Sequence, residues 1–204
     1  MNLCNIHFHN AAEHKALAFS IEAHKDKVGG YQCGISQHLT DAELKPYENN
    51  SCKGVEVGDT VEYHWVYSTC TVKPGPELDS CFSKSCLNPN LRVETAVFTV
   101  VNDESALNFA DFDNGGQSQN GFYQAKSLPT GIGTPVEFLG STTGPHFNDH
   151  ICSPAQVSWS VRPECAKVSI ASLSNWCASN DFDEDHAHGV RKLVTDLKLL
   201  SPIK

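Results

Sequence analysis

Two histidines near the start of the chain form the densest group of residues that could do chemistry. His7 and His9 are separated by one residue within Leu3–His9, a run whose alternating character predicts a β-strand. Side chains two apart in a strand point to the same face, so both imidazoles can bind one ion. With an acid, Glu13, close behind them, this pattern favours a metal site over two ordinary surface histidines.

A third ligand for such a site has to come from another segment. His64 is the favoured candidate because it lies in Thr60–Thr69, which is rich in β-branched and aromatic residues and predicts a strand. Metal-bound histidines usually donate their other N–H to a carboxylate, amide or carbonyl. Glu62 lies two residues before His64, on the same face, and can supply that contact. The other candidates for third ligand are His146, His150, His186 and His188.

Asn5 stands in the same relation to His7 as Glu62 does to His64. It lies two residues before the histidine, so its amide and the imidazole share one face of the strand. The repetition of this arrangement on both predicted ligand strands is more informative than any one histidine. A catalytic zinc site would also keep an open fourth position for water.

The length and charge of the chain restrict its domain number and exclude some classes of function. With 204 residues the chain fits one fairly large domain. No stretch approaches the roughly 20 apolar residues that span a bilayer. The net charge of −9 disfavours a polyanionic partner, so nucleic-acid binding is not expected.

Nine cysteines are dispersed along the chain, without the paired spacing of zinc ribbons or thioredoxin-like motifs. Dispersed cysteines are typical of a disulfide framework and predict an oxidising, extracytoplasmic compartment, periplasmic or secreted. The spacing leaves the pairing open; the shortest loops would join Cys81 to Cys86 and Cys165 to Cys177. Their number is odd, so one thiol is free, pairs between chains or has lost its partner. No signal peptide is visible in this disulfide-rich chain, so we expect that an N-terminal segment is missing, which would agree with a lost partner.

The remaining elements predict a strand-dominated domain with long loops. Leu91–Val101 is the strongest strand candidate, and Gly131–Thr143 and Gln156–Arg162 predict two more. A capping box at Thr40–Glu43 predicts one short helix, and Ser172–Ser179 predicts another.

An acidic, His-rich segment, Asp181–His188, lies beyond the second predicted helix. Its carboxylates and imidazoles could bind a second cation. A run of charges more often lies in solvent, so we interpret it as a solvated acidic turn that caps a last helix.

Four motifs, taken in order, resemble the landmarks of carbonic anhydrases. They are Asn5–His9 with Glu13-His14, Glu62–Val66, Gly140–Pro145 and Val157–Val161. The first three are similar to the α class in order and role, whereas the short gap before Glu13 and the cysteine pattern look closer to the δ class. The resemblance runs from Asn5 to about Trp176. It implies one domain over residues 1–204, mainly β (α+β), with a central, mostly antiparallel sheet like that of the α class and a few short helices.

The resemblance also implies a role for each matching residue of the metal site. His7, His9 and His64 would bind Zn²⁺, for which Cd²⁺ or Co²⁺ can substitute. Asn5 and Glu62 would orient the first and the third of these ligands. The activity implied is the reversible hydration of carbon dioxide to bicarbonate and a proton by a zinc-bound hydroxide, which is available because zinc lowers the pKa of its water to the value of about 7 known for carbonic anhydrases.

Further residues would orient the hydroxide and bind the substrate. Glu13 would accept a hydrogen bond from the hydroxyl of Thr143, which then orients the hydroxide; Thr142 is the alternative because the loop that follows differs from the α-class pattern. Val66 and Trp159 would line the pocket for carbon dioxide.

Two other classes of protein fit part of the pattern. In a cupin-type metalloenzyme, His7, His9 and Glu13 would together bind iron or manganese. The flanking glycines of the cupin motif are missing, and the third and fourth motifs would have no explanation. In a secreted, non-catalytic module, four protein ligands would enclose a zinc ion completely.

Overall fold

The computed structural model of the chain describes residues 1–23, 29–141 and 156–190. Within these residues it has nine strands: β1 Asn2–His9, β2 Phe19–Glu22, β3 Tyr31–Cys33, β4 Thr60–Ser68, β5 Asn90–Val101, β6 Asn114–Gln117, β7 Tyr123–Ala125, β8 Val136–Ser141 and β9 Gln156–Ser169. One α-helix, α1, spans Ile170–Ala178, and three short 3₁₀ helices span Gly34–His38, Leu78–Cys81 and Phe109–Asp111.

Five strands form the central sheet, in the order β1-β4-β5-β9-β8. Neighbouring strands are antiparallel except for β5 and β9, which are parallel, so the sheet is mixed. The expectation of a mainly β single domain around a central sheet is confirmed. The two ligand strands of the prediction, β1 and β4, are sequence-distant but adjacent, with β1 at the edge.

The two faces of the sheet bury different kinds of side chain. One face packs aromatic rings against α1, with Phe8 stacked on Tyr63 at 4.7 Å and Tyr63 against Phe109 at 4.1 Å between ring centroids. The opposite face buries a smaller, valine-rich cluster that includes Val66 and Trp159. Because side chains alternate along a strand, the histidines of β1 and β4 lie on this second face. The aromatic cluster packs on the opposite face of the same two strands.

Two predicted strands differ in length from the observed ones. The strand predicted over Gln156–Arg162 continues to Ser169, because an irregularity in the β5–β9 register lets the chain pass Pro163 without ending the strand. The strand predicted from Gly131 begins only at Val136.

The capping box forms but does not begin a helix. The backbone N–H of Thr40 donates to Glu43 Oε2 over 2.8 Å, and the N–H of Glu43 donates to Thr40 Oγ1 over 3.3 Å. Residues 41–44 make a single turn, and Pro46 follows closely, so the predicted helix at this position is wrong. The other predicted helix is present as α1.

The stability of this turn should depend on pH. A hydrogen bond from Lys167, together with those from Thr40, lowers the pKa of Glu43 from 4.5 to about 2. A folded-state pKa below that of the unfolded chain stabilises the fold above pH 4.5, and the contribution is lost as the pH falls towards 2. Glu43→Gln should therefore lower the free energy of unfolding near neutral pH but have little effect at the acid end. Urea denaturation across this range tests it, and a difference that does not change with pH would contradict it.

The described residues form four disulfides: Cys4–Cys81, Cys33–Cys165 and Cys52–Cys177 join distant parts of the fold, and Cys70–Cys86 closes one loop. Neither Cys81–Cys86 nor Cys165–Cys177 is formed. Cys152 lies outside the described residues. The bridges agree with an oxidising compartment. In the described ranges, no helix has the length and apolar character needed to cross a membrane.

Candidate metal centre

The pairing of β1 with β4 brings the three predicted histidine ligands together. His7 lies directly opposite His64 in the antiparallel register, and His9 lies on the same face as His7. The three rings are 4.9–5.2 Å apart between centroids. One nitrogen from each ring lies within 4.8 Å of the other two. The three side chains therefore form a group that could hold one metal ion.

The hydrogen bonds around Asn5 determine which nitrogen of His7 carries its proton. The Asn5 side-chain N–H donates to the carbonyl of Gly75 over 3.2 Å, which turns the amide oxygen towards His7. That oxygen lies 2.6 Å from His7 Nδ1 and can only accept a hydrogen bond. His7 Nδ1 is therefore the protonated nitrogen, and Nε2 presents its lone pair to the other histidines.

Glu62 has the same effect on His64 from the neighbouring strand. His64 Nε2 donates to Glu62 Oε1 over 2.7 Å, so the lone pair of His64 is on Nδ1. That Nδ1 lies 3.2 Å from His7 Nε2. When both rings are neutral, two nitrogen lone pairs face each other, an arrangement that is favourable only with a metal ion or a proton between them.

The third ring, His9, is held by a backbone group that the sequence patterns did not reveal. His9 Nδ1 lies 3.2 Å from the carbonyl oxygen of Gly189, which can only accept, and this leaves the lone pair on Nε2. Burial, followed by the proximity of His64, lowers the pKa of His9 well below its ordinary value. A ring that stays neutral keeps its lone pair available to a cation.

This donor set fits Zn²⁺. Zinc prefers nitrogen ligands at about 2.0–2.1 Å in a tetrahedral arrangement, which places two bound nitrogens about 3.3 Å apart. The observed 3.2 Å between His64 Nδ1 and His7 Nε2 agrees with that spacing. Three neutral imidazoles leave a fourth tetrahedral position for water.

Glu62 also binds His14, which explains a second close group of potential ligands. His14, Glu62 and His64 lie within the same 4.8 Å limit. However, both the ring and the backbone N–H of His14 donate to the Glu62 carboxylate, over 2.6 and 3.1 Å, so this group is a hydrogen-bond network. Burial alone would raise the pKa of Glu62 and lower that of His14. The attraction between the two groups outweighs burial, so the pKa of Glu62 is lowered and that of His14 is raised. Glu62 therefore stays ionised.

Apolar side chains lie beside His64 and His14. The Trp159 ring is 5.2 Å from that of His64 and 5.0 Å from that of His14, and Val66 packs in the same cluster. Phe138 on β8 stacks on Trp159 with ring centroids 6.4 Å apart; no sequence motif indicated it. The rest of the cluster on this face includes Val93, Val97, Val157 and Val161. The site can thus offer a small apolar substrate a non-polar wall.

Glu13 is buried beside the site, but not among the grouped ligand atoms. Its Oε1 lies 3.3 Å from His9 Nδ1, the ring nitrogen that also faces Gly189. Among the described residues, neither group of potential ligands includes Glu13, which does not favour the cupin arrangement. Thr142 and Thr143 lie outside the described residues, so the expected contact between Glu13 and the threonine stays a prediction.

Part of the acidic segment covers the free edge of β1. Asp181, Asp183 and His186 are exposed, as the interpretation as a solvated turn expects, but Glu184 is not. Glu184 is buried and accepts from the Phe8 N–H over 3.3 Å and from the His188 ring over 2.8 Å. The His188 N–H donates to the Phe8 carbonyl over 2.8 Å, and the Asn10 N–H to the His188 carbonyl over 2.9 Å. These bonds continue the sheet past β1 and place Gly189 beside His9.

Two of the other histidines proposed as third ligand, His186 and His188, lie in the described residues, and neither is in the group. His188 is the nearest of them, with its ring 5.8 Å from that of His7, but its Nε2 is bound to Glu184. In the part of the chain that the structure describes, neither His186 nor His188 belongs to a close ligand group. His146 and His150 lie outside the described residues.

Comparison with known proteins assigns the chain to a family. The family model described as Delta carbonic anhydrase matches residues 1–172, a range that contains the three histidines, Asn5 and Glu62. No curated protein and no solved structure matches the chain. Because the match covers most of the sequence, the chain belongs to the delta carbonic anhydrase family.

Proposed function

We propose that the protein is a zinc-dependent carbonic anhydrase that hydrates carbon dioxide reversibly to bicarbonate and a proton. The observation that carries this proposal is the grouping of one nitrogen each from His7, His9 and His64 within 4.8 Å of one another, with each ring held by a further hydrogen bond. Membership of the delta carbonic anhydrase family supports the same activity.

The residues of the site would divide the work of such a reaction. Zinc, when bound, lowers the pKa of coordinated water to the value of about 7 known for carbonic anhydrases and so provides hydroxide at neutral pH. His7, His9 and His64 would hold the ion as neutral ligands, while Asn5 and Glu62 keep two of the rings in the binding tautomer. These outer contacts also limit the motion of the rings.

Other residues would position the substrate. Val66 and Trp159 would bind carbon dioxide, a small uncharged molecule, through non-polar contacts. Glu13, in its ionised form, would accept a hydrogen bond from the hydroxyl of Thr143. The threonine oxygen could then only accept a hydrogen bond from the attacking hydroxide. This hydrogen bond would orient the hydroxide so that its lone pair points at the carbon atom of carbon dioxide.

Metal analysis combined with stopped-flow carbon dioxide hydration tests the proposal. We expect one zinc per chain, loss of hydration on removal by a chelator, and recovery on addition of Zn²⁺, with Cd²⁺ and Co²⁺ tested as substitutes. Iron or manganese in its place would favour the cupin alternative. Stoichiometric zinc without hydration would favour the non-catalytic module.

We also propose an extracytoplasmic location, periplasmic or secreted. The four disulfides support it, since such bridges persist in oxidising compartments. Fractionation of cells that express the full-length gene product would test it, and recovery of the protein in the cytosol with reduced thiols would contradict it.

Thr143→Ala should slow hydration by about an order of magnitude or more while the metal stays bound, because an aligned hydrogen bond is lost but no ligand is. Stopped-flow rates and the zinc content of the same samples measure both effects. Thr142→Ala is the matched control, with near-native rates expected. If Thr142→Ala shows the large effect instead, the orienting threonine is Thr142.

A further inference from the structure

The connection between β4 and β5 is tied to the ligand strand β1 by covalent and hydrogen bonds. Residues 70–86 of this connection, which we call the stapled loop, are closed by the Cys70–Cys86 disulfide. The Cys4–Cys81 disulfide joins the stapled loop to β1, and both of its cysteines are fully buried. This bridge meets β1 one residue before Asn5.

A two-point contact at Gly75 lies beside that disulfide. The Gly75 N–H donates to the Cys4 carbonyl over 3.0 Å, and the Gly75 carbonyl accepts from the Asn5 side chain over 3.2 Å. The register between β1 and β4 shifts between Leu3 and Asn5, so Cys4 lies at an irregularity of the strand. Cys4 thus directs its carbonyl to the stapled loop while Asn5 returns to the ladder.

The far end of the bridge is fixed to the sheet as well. The Ser68 hydroxyl at the end of β4 donates to the Cys81 carbonyl over 2.7 Å and accepts from the Cys70 N–H over 3.1 Å. The side-chain N–H of Asn2 donates to the Cys70 carbonyl over 2.9 Å. The stapled loop is therefore held against β1 and β4 at both ends, with Gly75 between them.

An asparagine amide has two nearly equal-sized ends, and only its partners decide which end faces a neighbouring group. Without the Gly75 carbonyl, Asn5 could turn its N–H₂ group towards His7. His7 would then move its proton to Nε2, the nitrogen that has to bind the metal. The orientation of Asn5 is thus the step at which the stapled loop can act on the site.

We propose that the stapled loop is a positioning device for the metal ligand His7. The Cys4–Cys81 disulfide holds the Gly75 carbonyl in place, this carbonyl orients the Asn5 amide, and the amide keeps the His7 lone pair on Nε2. The inference rests on the proposed metal site and deepens it, because part of the metal affinity would then come from a disulfide that contains no ligand.

The decisive variant is Cys4→Ala/Cys81→Ala, compared with Cys33→Ala/Cys165→Ala as the matched control. The control removes a disulfide that closes a longer stretch, 132 residues against 77, so it should lower the melting temperature at least as much. Competition with a chelator should show zinc affinity about 10-fold weaker in the first variant and near-native in the control, since loss of an outer contact typically costs 10–100-fold.

Two further measurements separate positioning from general loosening. In the metal-free protein, ¹⁵N NMR of the His7 ring should show the Nδ1–H tautomer in the wild type and the control but a mixture in Cys4→Ala/Cys81→Ala. In an Asn5→Ala background, the loss of the Cys4–Cys81 bridge should weaken zinc binding no further, because the loop would act through the missing amide.

If the wild type binds zinc and Cys4→Ala/Cys81→Ala binds it equally well, the inference is overturned while the proposed metal site stands. If the wild type binds no zinc, both fail. Should the cysteine variant not fold, Gly75→Pro keeps every cysteine but removes the N–H that donates to Cys4. It should reproduce the weaker binding and the mixed tautomer, and native values for both would equally overturn the inference.

Discussion

Replacing His64 with alanine should leave the chain without tightly bound zinc. His64 is the member of the histidine group that β4 supplies, and its Nδ1 lies 3.2 Å from His7 Nε2. The loss in affinity should exceed the roughly 10–100-fold that removal of an outer partner typically causes. Zinc content after dialysis and competition with a chelator measure it, with hydration rates on the same samples.

The exposed His38 offers a matched control. His38→Ala removes an imidazole outside the site and should bind zinc as the wild type does. Circular dichroism of both variants would show whether the fold is kept. Retention of stoichiometric zinc by folded His64→Ala would mean that another histidine is the third ligand.

Glu62→Gln should weaken zinc binding by about 10–100-fold, the second-largest effect we expect. The Glu62 side chain is fully buried and accepts three hydrogen bonds, from His64, from the His14 ring and from the His14 backbone. A glutamine has one acceptor oxygen, so its N–H₂ group would oppose at least one of these donors. The backbone N–H of His14 cannot lose its proton, so the amide oxygen would face it and the N–H₂ group would face both rings. His64 would then accept only by moving its proton to the metal-binding nitrogen.

Glu43→Gln makes the same change of side chain away from the metal site and serves as the control for Glu62→Gln. Zinc affinity of both variants is compared with their urea denaturation at neutral pH. We expect both to lose stability and only Glu62→Gln to lose zinc. Equal zinc affinity in the two variants would show that Glu62 does not control the ligand.

The histidine geometry could be predicted because strand alternation relates residues to a face without knowledge of the fold. His7 and His9 share a face for that reason, and Asn5 and Glu62 each precede a histidine by two residues. Only the pairing of β1 with β4, in a register that sets His7 opposite His64, had to come from the structure.

Backbone partners could not be predicted in the same way. The carbonyls of Gly75 and Gly189 contact Asn5 and His9, yet every residue has a carbonyl and nothing in the residue type marks these two. The disulfides were equally hidden. Cys4 and Cys81 are 77 residues apart and meet only because the stapled loop folds back over β1.

Short sequence motifs were poor predictors where contacts with distant residues determine the local structure. Thr40 and Glu43 make the hydrogen bonds of a capping box, but Pro46 follows too soon for a helix. Glu184 belongs to a strongly charged run, yet it is buried because the Phe8 N–H and the His188 ring both donate to it.

The covering of β1 by residues 184–189 has a consequence for biosynthesis. The ribosome releases His7, His9 and His64 well before Gly189, so a nascent chain holds all three imidazoles while one of them still lacks its carbonyl anchor. During that interval the free edge of β1 can pair with other polypeptides. The His9 ring should therefore be fixed, and this edge protected from aggregation, only after translation has passed this late segment.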